Sequence, residues 1–489
     1  MKNMKTKLTL LLLCVALITA SCSKNRHEEF GRDLAKAFKS KKYKNFDTTA
    51  YFAVFKSRLS AENNEIHNPK SIKKIYSTEE KGLTLIGEFL IKGQLDTLVN
   101  FLERADEHGL NPQYFHADVI KGLIKRAKKE KFKNINLAYP VLADIELYCA
   151  DGLINYANFM TYGAVNPKNI LSRYYVSVDR PDILSAQASL EQLNLVEFLN
   201  GLSSKDQPYE NLHKLLVDDK ASPSLSSSDK AKIAYSLERL RWRTKAYPAK
   251  YLLVNIPEFN LRLMNDEKEE FEMKVCVGEA ADAETNHETP ILSGLINTMQ
   301  VNPVWNIPKS IVVKEIGEGL IRNPNYLEEK NMVAYQNGNL IDENSVDWNS
   351  VDVAKYEFKQ NPGADNSLGQ IKFIFKNAYA IYLHDTPAQA AFNQSNRAVS
   401  HGCVRVQDPM KLASAFVSSN EAEQIKMETE QASAGGEVIT RWVKAKTPIP
   451  VFIEYYTAWV DNAGKLVIAN DVYSYDSKLF DAFKEYMAK

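Results

Sequence analysis

The sequence has few cysteines, no excess of charge of either sign and no internal repeats. Its 489 residues include five cysteines, and no two of them have the spacing of a metal site. Lys+Arg and Asp+Glu are equal at 61 each, so the overall charge gives no indication of a nucleic-acid partner. The chain is too long for one hydrophobic core, and we expect two or three domains.

The N-terminus has the pattern of an export signal. Three lysines precede the apolar run Leu8–Ile18, which is shorter than the roughly 20 residues of a membrane-spanning helix. Small residues directly before Cys22 resemble the cleavage site of bacterial lipoproteins, in which the cysteine receives lipid. We therefore expect 1–22 to be a lipoprotein-type signal peptide and the protein to lie in the periplasm or cell envelope, anchored to a membrane through Cys22. An ordinary secretory signal, cut near Ala20 or Ser21, is the alternative.

The other cysteines have different surroundings. Cys14 lies within the apolar run and leaves with the signal. Cys149 falls in a helical pattern and Cys276 in a strand pattern, which leaves open either a disulfide between them or two separately buried thiols. Cys403 is left as the thiol with chemically active neighbours.

Periodicity divides the rest of the chain into four segments. Residues 23–78 are polar and lysine-rich, as in a tether that separates a domain from a membrane. Residues 79–245 have helical spacing. From 246 to 475 the apolar period changes to two, which is typical of β-strands, and 476–489 predicts a C-terminal helix. The sequence thus predicts an α+β protein with an all-α domain before a sheet-rich domain.

An irregular stretch interrupts the predicted sheet. Residues 307–369 lie between the predicted strands Asn297–Asn302 and Ile371–Phe375 and contain several glycines and prolines, too many for one packed element. An insertion of this length between strands of one sheet predicts a functional segment such as a lid.

The segment Ser-His-Gly-Cys-Val-Arg around Cys403 has the residue types of a nucleophile site. A free thiol with a pKa near 8.5 is only about 3% thiolate at pH 7, so it needs a base, which His384 at a predicted strand end can supply. The backbone N–H groups of Gly402 and Cys403 are natural oxyanion donors, and His401 lies in the same region. Arg405 has a fork of donors suited to a substrate carboxylate.

The order and spacing of these residues constrain the chemistry further. Adjacent side chains on a strand point to opposite faces, so we expect a backbone carbonyl rather than the Asp385 carboxylate to orient His384. His384 precedes Cys403, whereas a papain-like endopeptidase has its cysteine before its histidine. A cysteine acyl-transfer enzyme of another class is therefore favoured.

Residues 384–406 resemble the catalytic signature of L,D-transpeptidases, in which a first histidine is followed by Ser-His-Gly-Cys and an arginine. The similarity is strong over roughly 240–475 and weaker over 80–220. Further matches to the large, periplasmic branch of that family are the segments 238–243, 254–257, 301–311, 362–369 and, in the helical part, 163–167. The small peptidoglycan-binding module that this branch often inserts does not fit, because only about 15 residues separate Leu216 from the helix at Lys230.

The resemblance implies a fold, a reaction and roles for residues. It implies a β-sandwich or barrel-like YkuD-type catalytic domain with a lid insertion, preceded by an all-α scaffold domain. Cys403 would form a thioester with a peptidoglycan stem peptide and pass it to a second stem as a 3–3 cross-link, with His384 as base and acid and with no cofactor or metal. Carbapenem-type inhibitors would acylate the same thiol. The implied substrate-binding candidates are Arg405, Tyr382, Trp305, Asn366 and Ser400.

Two other functions remain open at this point. If water replaces the acceptor amine, the same site is that of an L,D-carboxypeptidase or endopeptidase; the long insertion favours exclusion of water and hence transfer. The other is a non-catalytic wall-binding scaffold lipoprotein, against which the presence of both His384 and Cys403 argues.

Replacing Cys22 by serine tests the lipid anchor, because serine cannot carry the thioether-linked lipid. We expect the wild-type protein to enter the detergent phase of a detergent–water partition and the Cys22→Ser protein to stay in the aqueous phase. Equal partitioning of the two proteins would show that the signal is an ordinary secretory one.

Overall fold

The computed structural model describes residues 29–61, 65–77, 85–243, 245–282 and 285–488. The expectations for the signal peptide, for Cys14 and for Cys22 fall on residues outside these ranges. Within them, no helix combines the length and the apolar composition that crossing a membrane would require.

In the described chain before residue 244, the regular elements are helices joined by loops, as the period predicts. The long helix α6 is buried along nearly its whole length, and α2, α3, α4, α5, α8 and α11 pack around it. The helices are α1 (29–37), α2 (Thr48–Ser60), α3 (Pro69–Ile75), α4 (Leu95–Glu103), α5 (Ala117–Lys129), α6 (Tyr139–Tyr162), α7 (Pro167–Ile170), α8 (Ile183–Leu190), α9 (Leu195–Gly201), α10 (Gln207–Ala221) and α11 (Ser227–Arg241).

The described part of 23–78 is folded, which corrects the tether prediction. Tyr51 and Phe55 of α2 are buried against α6, and the Asp47 side chain caps α2 by accepting hydrogen bonds from two backbone N–H groups. The lysines that suggested a spacer, such as Lys36 and Lys44, are exposed, while aromatic residues between them face inwards. Composition alone did not separate these two faces.

Two sequence segments that are far apart in the chain meet at the end of α6. Glu238 of α11 is fully buried and accepts hydrogen bonds from Val165 N–H (2.8 Å), Trp242 Nε1 (3.0 Å) and Arg241 Nη2 (2.9 Å). Gly163 has φ +73°, and a Cβ there would lie 2.7 Å from Glu238 Oε1. The close approach of this turn to Glu238 therefore requires glycine.

After residue 249 the chain forms strands and further helices. The strands are β1 (Lys250–Asn255), β2 (Asn260–Asn265), β3 (Lys268–Gly278), β4 (Leu292–Val301), β5 (Trp305–Asn306), β6 (Met332–Gln336), β7 (Asn339–Ile341), β8 (Glu357–Gln360), β9 (Ile371–Phe375), β10 (Leu383–His384), β11 (Ala398–Ser400), β12 (Val404–Val406), β13 (Arg441–Glu454), β14 (Ala458–Val460) and β15 (Leu466–Ile468). The helices are α12 (Lys309–Ile311), α13 (Gly317–Arg322), α14 (Tyr326–Glu329), α15 (Pro409–Ser414), α16 (Ser419–Ser433) and α17 (Tyr475–Phe483).

The main sheet closes on itself. Its strand order is β11-β3-β12-β10-β9-β4-β13-β1-β2, and β2 also pairs with β3, so that all of these strands except β11 form a barrel. Closure removes free strand edges and gives the barrel a core of alternating inward residues, as in the buried Ile371, Phe373 and Phe375 of β9. The predicted α+β class, with a barrel-like domain after a helical one, is confirmed.

The insertion is a packed subdomain rather than the irregular segment that its glycines and prolines suggested. β5, β8, β6 and β7 form an antiparallel sheet. A helix that runs through α12, a π-helical turn at Val312–Ile316 and α13 covers this sheet, and the two share a core that includes Leu327 and Phe358. The insertion therefore has a hydrophobic core of its own, separate from that of the barrel.

The chain returns to the helical domain after the barrel. α17 packs against α11 and α7, and Arg239 of α11 forms a buried ion pair with Asp476 (2.6 Å). Beyond α17, Met487 forms an antiparallel bridge with Leu110, and Asn111 N–H donates to a backbone carbonyl of the same segment. The predicted C-terminal helix is therefore shorter than 476–489, and the residues after it complete the helical domain.

The variant Glu238→Ala tests how strongly the buried contacts of Glu238 with Val165, Trp242 and Arg241 support the fold. The change leaves the Arg241 guanidinium buried without its carboxylate, so we expect it to lower the free energy of unfolding by about 3–5 kcal/mol. Chemical denaturation followed by circular dichroism measures the effect, with the exposed Glu210→Ala on α10 as a control that costs less than about 0.5 kcal/mol. An equal loss of unfolding free energy in the two variants would contradict this structural role of Glu238.

Candidate active site

The site is assembled by two short parallel strands of the barrel. β10 and β12 lie side by side in a register that pairs Leu383 with Val404 and His384 with Arg405. Val404 N–H donates to the Tyr382 carbonyl (3.1 Å), which places Cys403, one residue before β12, directly beside Tyr382. Residues that are separate in sequence are thus brought together by strand pairing.

The side chain of Cys403 is half-buried. Its Sγ is 3.7 Å from the carbonyl oxygen of Ala380. Burial raises the pKa of the Cys403 thiol, while hydrogen bonds from the backbone and the hydroxyl of Tyr382 and the positive charges of Lys372 and Arg405 act to lower it. Burial is the largest effect, so the pKa in this structure lies above its ordinary value.

The loop before Cys403 is fixed by its own hydrogen bonds. Gly402 has φ +112°, a conformation that favours glycine. Its N–H donates to Ser400 Oγ (3.1 Å), and Ser400 Oγ donates to the Cys403 carbonyl (2.6 Å). Thr289 Oγ1 donates to the Gly402 carbonyl (2.9 Å). Of the two predicted oxyanion donors, Gly402 N–H is therefore already used, while Cys403 N–H has no acceptor among the described residues.

His384 is buried and held by backbone carbonyls. Its Nδ1 lies 2.5 Å from the Asp385 carbonyl oxygen, so a carbonyl rather than the Asp385 carboxylate orients the ring. Burial and the charge of Arg405 are the main causes that lower the pKa of His384 to about 3; hydrogen bonds to the carbonyls of Asp385 and Leu368 oppose this shift, and Lys372 adds to it. The imidazole is therefore neutral at physiological pH.

The structure does not join His384 and Cys403 by a hydrogen bond. The two residues lie on neighbouring segments, but in the described chain the polar contacts of the thiol are with Ala380 and Tyr382. The predicted pairing of this base with this thiol is therefore not formed in this conformation. Such contacts are often long before substrate binds, so the role of His384 remains a proposal.

The predicted substrate-binding residues have different environments. Tyr382 contacts Cys403, its hydroxyl also hydrogen-bonds to Trp305 at the base of the insertion, and burial raises its pKa. Arg405 has a buried Nε without a partner, and no carboxylate of the described chain pairs with it. Asn366 differs from the expectation: it is buried, and its Nδ2 donates to the backbone carbonyls of Pro303 (3.1 Å) and Asn361 (2.8 Å). Asn366 fastens the two ends of the insertion and is not open to a ligand.

The insertion contacts the site directly. His401 Nε2 lies 2.7 Å from Glu315 Oε1 in the π-helical turn of the insertion, and the His401 ring packs near that of His287 at 4.4 Å between centroids. His401 therefore faces the insertion rather than an oxyanion. The Glu315–His401 and Trp305–Tyr382 contacts bring the insertion next to the segments that flank Cys403.

Lys372 is a site residue that the sequence interpretation missed. It lies on β9 opposite His384, and its Nζ is 3.7 Å from the centre of the Tyr382 ring. The signal that could have found it is the alternation of β9, which places Lys372 on the face away from the buried Ile371 and Phe373. Without the strand order, nothing in the sequence connected that face to Cys403.

Three potential metal ligands come together in the helical domain. The ring nitrogens of His67 and His116 and a carboxylate oxygen of Asp151 lie within 4.8 Å of one another. The carboxylate already accepts hydrogen bonds from the backbone N–H groups of His67 (3.0 Å) and Asn68 (2.9 Å) and faces His116 Nε2 at 2.8 Å. We interpret the group as a structural hydrogen-bond network that fastens the loop before α3 to α6.

A wide groove of about 1120 Å³ lies between the helical domain and the barrel, away from this thiol. Its lining includes Trp459 and the carboxylates of Glu258, Glu269 and Glu272, which form ion pairs with Arg262 in the same groove. Cys403 does not line the groove, which therefore lies outside the candidate site.

Comparison with known families agrees with this architecture. Residues 249–450, which contain the barrel and its insertion, match the model of the YkuD family, the L,D-transpeptidase catalytic domain. The chain carries an L,D-transpeptidase catalytic domain. Residues 70–216 match the model of the Scaffold domain family, which corresponds to the helical domain before the barrel.

Relatives of this L,D-transpeptidase domain include a Haemophilus influenzae protein named "Putative L,D-transpeptidase". It is 31% identical over 308 residues, which cover 61% of this chain and 60% of that protein. The match thus spans less than two thirds of the relative's length.

Solved structures with similarity to this chain share little sequence with it. Mycobacterium tuberculosis L,D-transpeptidase 3, in complex with a faropenem-derived adduct, is 14% identical, with 43% of this chain and 62% of that chain covered and a TM-score of 0.20. The avibactam carbamoyl enzyme of Ldtfm is 10% identical, with 47% and 63% covered and a TM-score of 0.20. At this TM-score neither pairing adds to the architecture seen in the chain itself.

The low pKa of His384 predicts that its ring stays neutral over a wide pH range. Protonation of a group with a pKa of about 3 requires acid well below that needed for an ordinary histidine near 6.5. We expect the ¹⁵N shifts of the His384 ring, assigned by their loss in His384→Asn, to remain those of neutral imidazole from pH 8 to pH 5. Imidazolium shifts in that range would contradict the described environment.

Proposed function

We propose that the protein is a peptidoglycan L,D-transpeptidase that forms 3–3 cross-links through a thioester on Cys403. The observation that carries this proposal is the position of the Cys403 thiol. It is hydrogen-bonded to Tyr382, lies near the cations Lys372 and Arg405, and follows His401, which contacts the insertion, within a domain of the L,D-transpeptidase family.

The first half-reaction forms the thioester. The thiol gives its proton to the neutral His384, and Sγ attacks the carbonyl carbon of residue three of a donor tetrapeptide, at the L-centre of meso-diaminopimelate. The C–N bond to the terminal D-alanine breaks, and the leaving amine takes the proton from His384. Because the two side chains are not hydrogen-bonded in this structure, the transfer needs a rotation of Cys403 or a bridging water molecule.

The second half-reaction transfers the acyl group. The side-chain amine of diaminopimelate in another stem attacks the thioester carbonyl, the C–S bond breaks, and an amine proton returns to the sulfur through His384. During both steps Cys403 N–H is the donor available to the oxyanion, and Arg405, whose Nε has no hydrogen-bond partner in the described chain, binds a stem-peptide carboxylate. No step requires a metal or an organic cofactor.

The covered site favours transfer over hydrolysis. The Glu315–His401 and Trp305–Tyr382 contacts hold the insertion close to Cys403, and we expect the insertion to limit access of water to the thioester. An acceptor stem can enter only where the lid leaves space. L,D-carboxypeptidase or endopeptidase activity of the same site is the competing outcome.

The proposed reaction also places the protein in the cell envelope. Peptidoglycan lies outside the cytoplasmic membrane, which agrees with the export signal expected from the first residues. In this proposal Cys22 carries a lipid that holds the folded domains close to a membrane and to the wall.

Incubation with purified disaccharide-tetrapeptide, followed by mass spectrometry, tests the reaction. We expect a cross-linked dimer with loss of one D-alanine, at least about 100-fold reduced in Cys403→Ala. Cys149→Ala, which removes a buried thiol in α6, is the control and should retain activity.

Other outcomes separate the alternatives. Tripeptide without dimer would replace transfer by carboxypeptidase activity. No product from folded, reduced protein, together with no covalent carbapenem adduct at Cys403 by intact mass, would favour a non-catalytic wall-binding protein and overturn the proposal.

A further inference from the structure

Lys372 is held in an unusual place for a lysine. Its Nζ lies 3.7 Å from the centre of the Tyr382 ring, within the range of a cation–π contact, and the side chain is half-buried on the outer face of β9. The hydroxyl of the same tyrosine hydrogen-bonds to Cys403. The ammonium group is thus separated from the thiol by one aromatic side chain.

No anionic side chain of the described chain neutralises this ammonium. β9 has two neighbours: β10 places His384 opposite Lys372, and β4 places the uncharged Gln300 there. The other groups close to it are Tyr382 and Cys403, together with Arg405 one strand further along, and none of them is a carboxylate. Burial lowers the pKa of Lys372, and the charge of a Cys403 thiolate raises it. Among its neighbours, the thiolate is thus the anion that can pair with it.

The neutral state of His384 makes this cation significant. In a thiolate–imidazolium pair the histidine provides the positive charge, but His384 is neutral here because burial and two neighbouring cations oppose its protonation. A buried thiolate without a nearby positive charge is strongly disfavoured. The charge therefore has to come from other residues.

We propose that Lys372 is a positioning residue that supplies positive charge to the Cys403 thiolate through the Tyr382 ring and hydroxyl. This inference rests on the proposed role of Cys403 as nucleophile and deepens it. Arg405 shares the electrostatic effect but presents its fork to substrate, whereas Lys372 is held by the tyrosine and remains part of the resting site.

The test measures the pKa of the Cys403 thiol rather than cross-linking. Iodoacetamide reacts with the thiolate: the S–C bond forms, the C–I bond breaks, iodide leaves, and the thiol proton passes to solvent. The rate of carbamidomethylation of the Cys403 peptide, followed by mass spectrometry from pH 5 to pH 10, gives the pKa directly. This readout is independent of peptidoglycan, so it separates failure of this inference from failure of the proposed function.

The variants replace the charge while keeping the length of the side chain. We expect Lys372→Met to raise the thiol pKa by about one unit and to slow alkylation at neutral pH about tenfold, because an opposite charge near a thiolate shifts its pKa by roughly 1–3 units. Lys372→Arg should retain most of the wild-type profile. The control is Lys376→Met, an exposed lysine just after β9, which should leave the profile unchanged.

Each outcome of this experiment supports or overturns the proposed role of Lys372. A Lys372→Met protein with an unshifted thiol pKa, or with a lower maximal rate but no shift, would overturn the inference and assign Lys372 a packing role. If Lys372→Met does not fold, as judged by circular dichroism, Lys372→Gln replaces it under the same criterion. A shifted pKa without any cross-linked product would support Lys372 while rejecting transpeptidation.

Discussion

Two short strands, β10 and β12, run parallel and side by side near the middle of the closed barrel, and the thiol lies at the point where their ends meet. Parallel pairing fixes the register of His384 against Arg405 and places Tyr382 beside Cys403. The closed sheet prevents these strands from sliding, because each one is paired on both sides. Removing this register would separate His384 and Tyr382 from Cys403 and Arg405, even if each element stayed folded.

The site balances burial against charge. Burial under the lid disfavours a thiolate, and the same burial keeps His384 neutral. Lys372 and Arg405 have no carboxylate partners within the described chain. Their positive charges favour the Cys403 thiolate and further disfavour protonation of His384. A pocket with this excess of positive charge suits a ligand that brings its own carboxylates, as a peptidoglycan stem peptide does.

The residues whose role depends on local sequence were the ones that could be predicted. The motif around Cys403, the helical period of the first domain and the strand Ile371–Phe375 are local patterns, and the structure has those elements where the patterns place them. Lys372 could not be predicted, because its proximity to the thiol comes from strand order. The prediction that Asn366 binds substrate was wrong for a related reason. The sequence does not show that its side-chain amide donates hydrogen bonds to backbone carbonyls on both sides of the insertion. The folded helices within 23–78 were hidden by a lysine-rich composition that describes only their outer face.

The pairing of Met487 with Leu110 has a consequence for how the protein reaches its native state. The helical domain is contacted by residues that follow the entire barrel in the chain, so part of its surface stays uncovered until those residues have docked. Contacts of such large sequence separation form slowly, because the intervening chain must be ordered first. Until that segment docks, the helices would expose apolar surface, and a delay at this stage favours aggregation. Completion of the helical domain is therefore tied to the docking of residues that lie beyond α17.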